Sequence, residues 1–142
     1  AFNSLDELRV FARQLGVEIL LENIPNAFSR AERLNLFVNT THLPLNFCFD
    51  AGHAHLTGNA ESELRLMGDR VRSTHIHDND GSEDNHRFPP LGEDGSIPWA
   101  SIKEMLTSHN DDLPWVLELR GDDDREDPLQ DVLRCFDQLE SL

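Results

Sequence analysis

Four short apolar runs, at residues 17–22, 45–50, 71–77 and 114–119, constrain this chain more than any other feature, because each is too brief for a helix and apolar almost throughout. Such a run marks a strand covered on both faces, the pattern of a parallel sheet. Parallel strands cannot be joined by a tight turn and need crossover segments, usually helices. The intervening stretches supply them. Ser4-Leu5-Asp6-Glu7 has the form of a capping box, and Leu5, Leu8, Phe11 and Leu15 follow at helical spacing until Gly16 offers a stop. Further helices are predicted over 30–39, 61–69, 99–108 and 128–142, the last with Pro128 in its first turn. A Gly-, Pro- and Asp-rich loop fills 78–98. The chain thus reads as one α/β unit over residues 1–142 with four parallel strands.

Each predicted strand carries a metal-capable side chain at or beside its carboxyl end: Glu22, Asp50, His77 and Glu118. Because side chains alternate faces along a strand, Leu20 and Glu22, Cys48 and Asp50, His75 and His77, and Val116 and Glu118 share one face. Leu21, Phe47, Phe49, Ile76 and Leu117 make the other. One face is apolar, as helices above it require. The other turns polar only at the carboxyl end, where parallel α/β folds place ligands and catalysis. A single acid there means little in a chain with 27 Asp and Glu, but four such residues in register, a histidine among them, form a hard donor set. It suits Mn²⁺, Mg²⁺, Co²⁺ or Zn²⁺.

Two segments flank this set. Asp50-Ala51-Gly52-His53 puts an imidazole three residues past the acid, with the glycine read as letting the chain turn back over the site, and His55 follows. The long loop holds Asp84-Asn85-His86, Arg87 and Pro89-Pro90, and Trp99 closes it. Acids outnumber Lys and Arg 27 to 12, the net charge is −15, and Lys103 is the only lysine, so a nucleic-acid partner is disfavoured electrostatically. The acidic cluster Asp122-Asp123-Asp124 reads as a solvated loop. Two distant cysteines, Cys48 and Cys135, cannot make a disulfide framework, and a reducing cytoplasm is expected. No run approaches the roughly 20 apolar residues of a membrane span, and Ala1-Phe2-Asn3-Ser4 lacks the charged start of an export signal, so neither anchor nor export is expected.

In order along the chain, Leu21-Glu22-Asn23, Phe49-Asp50-Ala51-Gly52-His53-Ala54-His55, Thr74-His75-Ile76-His77-Asp78-Asn79-Asp80-Gly81, residues 92–99 and Leu117-Glu118 resemble the xylose isomerase-like TIM-barrel superfamily. That superfamily (AP endonuclease family 2) joins sugar and sugar-phosphate isomerases and epimerases with endonuclease IV-type AP endonucleases. The resemblance implies a (β/α)₈ barrel of which this chain is the C-terminal half, a leading helix and strands five to eight, since a whole barrel takes about 250 residues. It implies one catalytic divalent metal on Glu22, Asp50, His77 and Glu118, with Glu22 and Glu118 moving the proton. His53, His86, Arg120 and Trp99 would contact substrate; in the nuclease branch His53, Asp84 and His86 would hold a second metal.

The activity expected from the resemblance is isomerisation or epimerisation of a small sugar. Arg87 and Arg120 are the few cations near the rim, which favours an uncharged sugar or polyol over a phosphorylated one. Phosphodiester hydrolysis at abasic sites is the alternative that Asp84 and His86 keep open, and a catalytically incomplete half-barrel is the third. The chain is read either as a fragment or as a natural truncation, completed by an N-terminal half-barrel or by a second copy of itself in a homodimer.

Overall fold

A computed structural model describes residues 2–41, 43–89, 95–121 and 126–142. Their elements run α1 (Phe2–Leu15), β1 (Leu20–Glu22), α2 (Ala31–Thr41), β2 (Asn46–Asp50), α3 (Ala51–Leu56), α4 (Ala60–Met67), β3 (Val71–Ile76), α5 (Trp99–His109), β4 (Trp115–Leu117) and α6 (Pro128–Ser141). The strands form one sheet in the order β1-β2-β3-β4, every pairing parallel. This is the α/β architecture expected, a four-stranded half-barrel.

Local chemistry explains most element ends. Gly16 takes the left-handed conformation (φ +66) past α1, and Val17 N–H donates back to Ala12 O at 2.9 Å. Asn59 caps α4 through Ser62 N, and Asp127 caps α6 through Gln130 N just ahead of Pro128. Ser4 differs from expectation: α1 already begins at Phe2, so the predicted capping residue lies inside the first turn. The two outer strands are shorter than their apolar runs, three residues each, because each pairs along one edge only among the described strands.

The expected two-faced sheet is present. Phe47, Phe49 and Ile76 are fully buried beneath the helices, packed with Leu34, Val38, Leu64, Met67, Ile102, Leu106 and Leu139, and Leu21 and Leu117 border this core. At roughly 2–3 kcal/mol for each large apolar side chain taken out of water, this face is the main stabilising layer. The opposite face is poorly covered: Val116 is 44% exposed. Most of the apolar stripe of α1 is bare as well: Leu5 packs against the core, but Leu8, Phe11 and Leu15 are exposed. No helix among the described residues is long and apolar enough to cross a membrane. Cys48 and Cys135 are both buried free thiols, the latter donating to Pro89 O. Pro90, the first part of the 92–99 motif and Asp122-Asp123-Asp124 lie outside the described residues.

Candidate metal centre

The sheet register decides which side chains meet. Glu22 lies beside Cys48, Asp50 beside His75, and His75 beside Val116, with an irregularity in the β2–β3 pairing between Phe47 and Cys48. Glu22, Asp50, His75 and Glu118 consequently converge, each offering a ligand atom within 4.8 Å of the others. His75 Nδ1 sits 3.1 Å from Glu118 Oε2, 3.4 Å from Glu22 Oε1 and 3.8 Å from Asp50 Oδ2. It is buried and makes no hydrogen bond despite those oxygens. Three carboxylates repel one another unless a positive charge lies between them. An orphaned ring nitrogen facing three carboxylate oxygens therefore fits a divalent cation, whose ligands would close to about 2.0–2.6 Å.

His77, expected in this set, lies elsewhere. The chain leaves the sheet after Ile76, so His77 joins His53, Asp84 and His86 in a second convergence, again within 4.8 Å. Its ring packs against Gly52, where a Cβ would fall 2.0 Å from His77 Cε1, and stacks on His86 with centroids 3.9 Å apart. The glycine thus makes room for the imidazole. In place of the expected turn, residues 51–56 form the short helix α3, capped by Asp50 Oδ1 accepting from His53 N at 2.7 Å. A helix of this length is too short to show periodicity.

His53 links the two groups. Its Nδ1 lies 3.0 Å from Asn23 O and 3.2 Å from Glu22 Oε1, and its Nε2 lies 3.2 Å from Asp84 Oδ2. Burial opposes a charge on this ring, but the hydrogen bond to Glu22 and the charges of Asp50 and Asp84 outweigh it and raise its pKa to about 9. The bond from His53, helped by the charge of His75, holds the Glu22 carboxyl below its ordinary range. His86 stands in the left-handed region (φ +51), uncommon for a residue with a Cβ, and its Nδ1 meets Glu118 O at 2.8 Å. Nδ1–H donation to that carbonyl leaves Nε2, 3.4 Å from Asp84 Oδ1, as the free ligating nitrogen.

Other expected contact residues are placed apart from these groups. Trp99 belongs to the core, 5% exposed, its Nε1 donating to the buried Asp78 carboxylate at 2.6 Å. Arg120 is exposed and reaches the site through its backbone, N–H to His86 O at 3.0 Å. The Arg87 guanidinium pairs with Asp80 at 2.9 Å. His55 bonds Ser96 Oγ.

A parallel α/β half-barrel with a hard-ligand cluster at the carboxyl ends of its strands is the class that fold and site together define. The model of the xylose isomerase-like TIM barrel family matches residues 1–139, and the chain belongs to that family. Among curated relatives it is 31% identical over 123 residues to an uncharacterized protein of Sinorhizobium fredii (82% of this chain, 38% of the relative). It is 30% identical over 138 residues to an uncharacterized protein of Methanocaldococcus jannaschii (92% and 52%). Among solved structures it resembles a D-tagatose 3-epimerase-like protein at 26% identity and TM-score 0.80, covering 99% of this chain and 52% of the other. A Thermus thermophilus protein soaked with ZnCl₂ gives 28% and 0.69, covering 99% and 50%. The chain spans about half the length of these relatives, or less.

Proposed function

We propose that this chain is the metal-holding half of an isomerase or epimerase acting on a small, uncharged sugar. The observation that carries the reading is the pair Glu22 and Glu118, set on either side of His75 at the carboxyl end of the sheet. Glu22, Asp50, His75 and Glu118 would hold a divalent ion, whose positive charge would draw in the hydroxyl and carbonyl oxygens of an open-chain sugar and make the C–H beside the carbonyl more acidic. Glu22 is anionic at neutral pH, because its neighbours hold its carboxyl low, and is ready to accept that proton. Glu118, half exposed, would draw a proton from solvent and deliver it to the opposite face of the same carbon in epimerisation, or to the neighbouring carbon in isomerisation, while the proton taken by Glu22 would pass back to solvent. His53 orients a substrate hydroxyl. The second half of the barrel, supplied by preceding chain or by another copy, completes the wall.

A second reading has one specific observation behind it. His53, His77, Asp84 and His86 form a further four-residue donor set beside the first, which suits a phosphodiester hydrolase that uses more than one ion. Against it stand the net charge of −15, the single lysine and the engagement of Arg87 by Asp80, since DNA binding draws heavily on phosphate contacts. The test is a panel of ketoses and aldoses incubated with the full-length protein, Mn²⁺ and D₂O, followed by NMR. A duplex with an abasic site is run in parallel at low salt. Deuterium incorporation into a sugar with an intact duplex supports the first reading; strand cleavage with no sugar turnover reverses it.

A further inference from the structure

We infer that Asn23 is a positioning residue for Asp50 and His53, an inference that rests on the reading that the Glu22–Asp50–His75–Glu118 group holds a divalent ion. The paired ladder of β1 and β2 ends at Glu22 and Cys48. One residue later the Asn23 side chain takes over the pairing: Nδ2 donates to Asp50 O at 2.8 Å and Oδ1 accepts from Asp50 N–H at 2.8 Å. The backbone carbonyl of the same residue lies 3.0 Å from His53 Nδ1. Asn23 is 2% exposed and these bonds satisfy both ends of its amide.

The residue gripped belongs to the Glu22 group and touches His53 and His77 of the other. Asp50, fully buried, places Oδ2 3.8 Å from His75 Nδ1 and Oδ1 3.0 Å from His77 Nε2, and caps the helix that presents His53. A shift of its backbone therefore moves a ligand of the Glu22 group together with the helix that presents His53. The Asn23 backbone carbonyl fixes the His53 ring as well: with Nδ1–H donated to it, Nε2 is the nitrogen left to face Asp84. The side chain's own part is the paired donor and acceptor against Asp50. Aspartate lacks the donor and would add a buried charge beside Glu22 and Asp50, and an apolar residue would leave the Asp50 N–H and C=O without partners.

The test uses Co²⁺ as probe in the full chain, reading affinity by calorimetry and ligand geometry by the visible absorption of the bound ion. Asn23→Leu and Asn23→Ala should weaken Co²⁺ binding by about 10–100-fold and alter the spectrum. Asn23→Gln, which keeps donor and acceptor, should recover part of both. Should Asn23→Leu fail to fold, Asn23→Ala, which adds no bulk, carries the comparison. Thr74→Val is the structural control: it deletes another buried bond between neighbouring chain segments, Thr74 Oγ1 to Pro114 O at 2.8 Å, on the opposite face of the sheet. It should lower the melting temperature and leave affinity and spectrum at wild type. Folded Asn23→Ala with wild-type affinity and spectrum, or Thr74→Val weakening Co²⁺ as much, overturns the inference while the metal reading stands. Wild-type protein that binds no Co²⁺ overturns the metal reading and this inference with it.

Discussion

Gly52→Ala is expected to destabilise the protein even though alanine is the better helix former. Gly52 lies in α3 with no left-handed φ, so helix propensity alone would favour alanine by about 1 kcal/mol. Space opposes this. The new Cβ would lie 2.0, 2.4 and 2.6 Å from three atoms of the His77 ring, where contact distances of about 3.5 Å are ordinary, so ring or helix must move by about 1.5 Å. His77 is fully buried, stacks on His86 and faces Asp50 at 3.0 Å, which leaves it little freedom. Overpacking of this kind costs about 1–3 kcal/mol, and loss of the His77–Asp50 contact adds a comparable amount. The net expectation is a loss of about 2 kcal/mol, or about 5–10 °C in Tm for a chain of this size. Circular-dichroism melts give the stability, and Zn²⁺ calorimetry should show binding at the His53–His77–Asp84–His86 group weakened, with the Glu22 group retained. Gly121→Ala, with nothing within 4 Å of its added methyl, should leave Tm unchanged or slightly raised. In the Gly52→Ala background His77→Ala should cost less than in wild type, because the two changes share one space. A Gly52→Ala protein at or above wild-type Tm with full Zn²⁺ binding would refute the steric reasoning.

Glu118→Gln should abolish sugar turnover while moving Tm by less than about 2 °C, since it keeps the volume of a half-exposed side chain and removes the carboxylate that both ligates and transfers the proton; kinetics and a melt check both. His53, held at about 9 against an ordinary 6.5, stabilises the metal-free fold most fully below pH 6.5 and loses that contribution as pH rises through about 9, so His53→Ala should flatten the Tm–pH profile over that window. The 142-residue chain alone, with Leu8, Phe11 and Leu15 of α1 exposed and β1 and β4 as outer strands, should self-associate in light scattering at micromolar concentration; a clean monomer would show that these surfaces protect themselves.

The fold was legible because its determinants are local and redundant. Apolar strands, helix caps at Asn59 and Asp127 and the stop at Gly16 each act over a few residues, and together they allow one α/β arrangement. Alternation also placed Glu22, Asp50 and Glu118 on one face correctly. It grouped His77 with His75 on that face, whereas β3 ends at Ile76 and His77 meets His53, Asp84 and His86; where a strand ends is a property of the packed sheet. Helix α3 was hidden by its brevity, and with it the reason for Gly52. Trp99, expected to contact substrate, is buried in the core with its Nε1 on the Asp78 carboxylate, a placement that depends on an acceptor 21 residues away and so is not legible locally. Asn23 lay in plain sight beside Glu22, but its role needs Asp50, 27 residues away, to be in contact.

The central claim is that Glu22, Asp50, His75 and Glu118 hold one divalent ion. Anomalous diffraction from crystals of the full-length protein soaked in Mn²⁺ tests it directly. The account predicts a peak bounded by these four side chains at about 2.0–2.6 Å, with His75 Nδ1 as the nitrogen ligand. A peak coordinated by His77 in place of His75, or no peak with the carboxylates splayed apart, would contradict it.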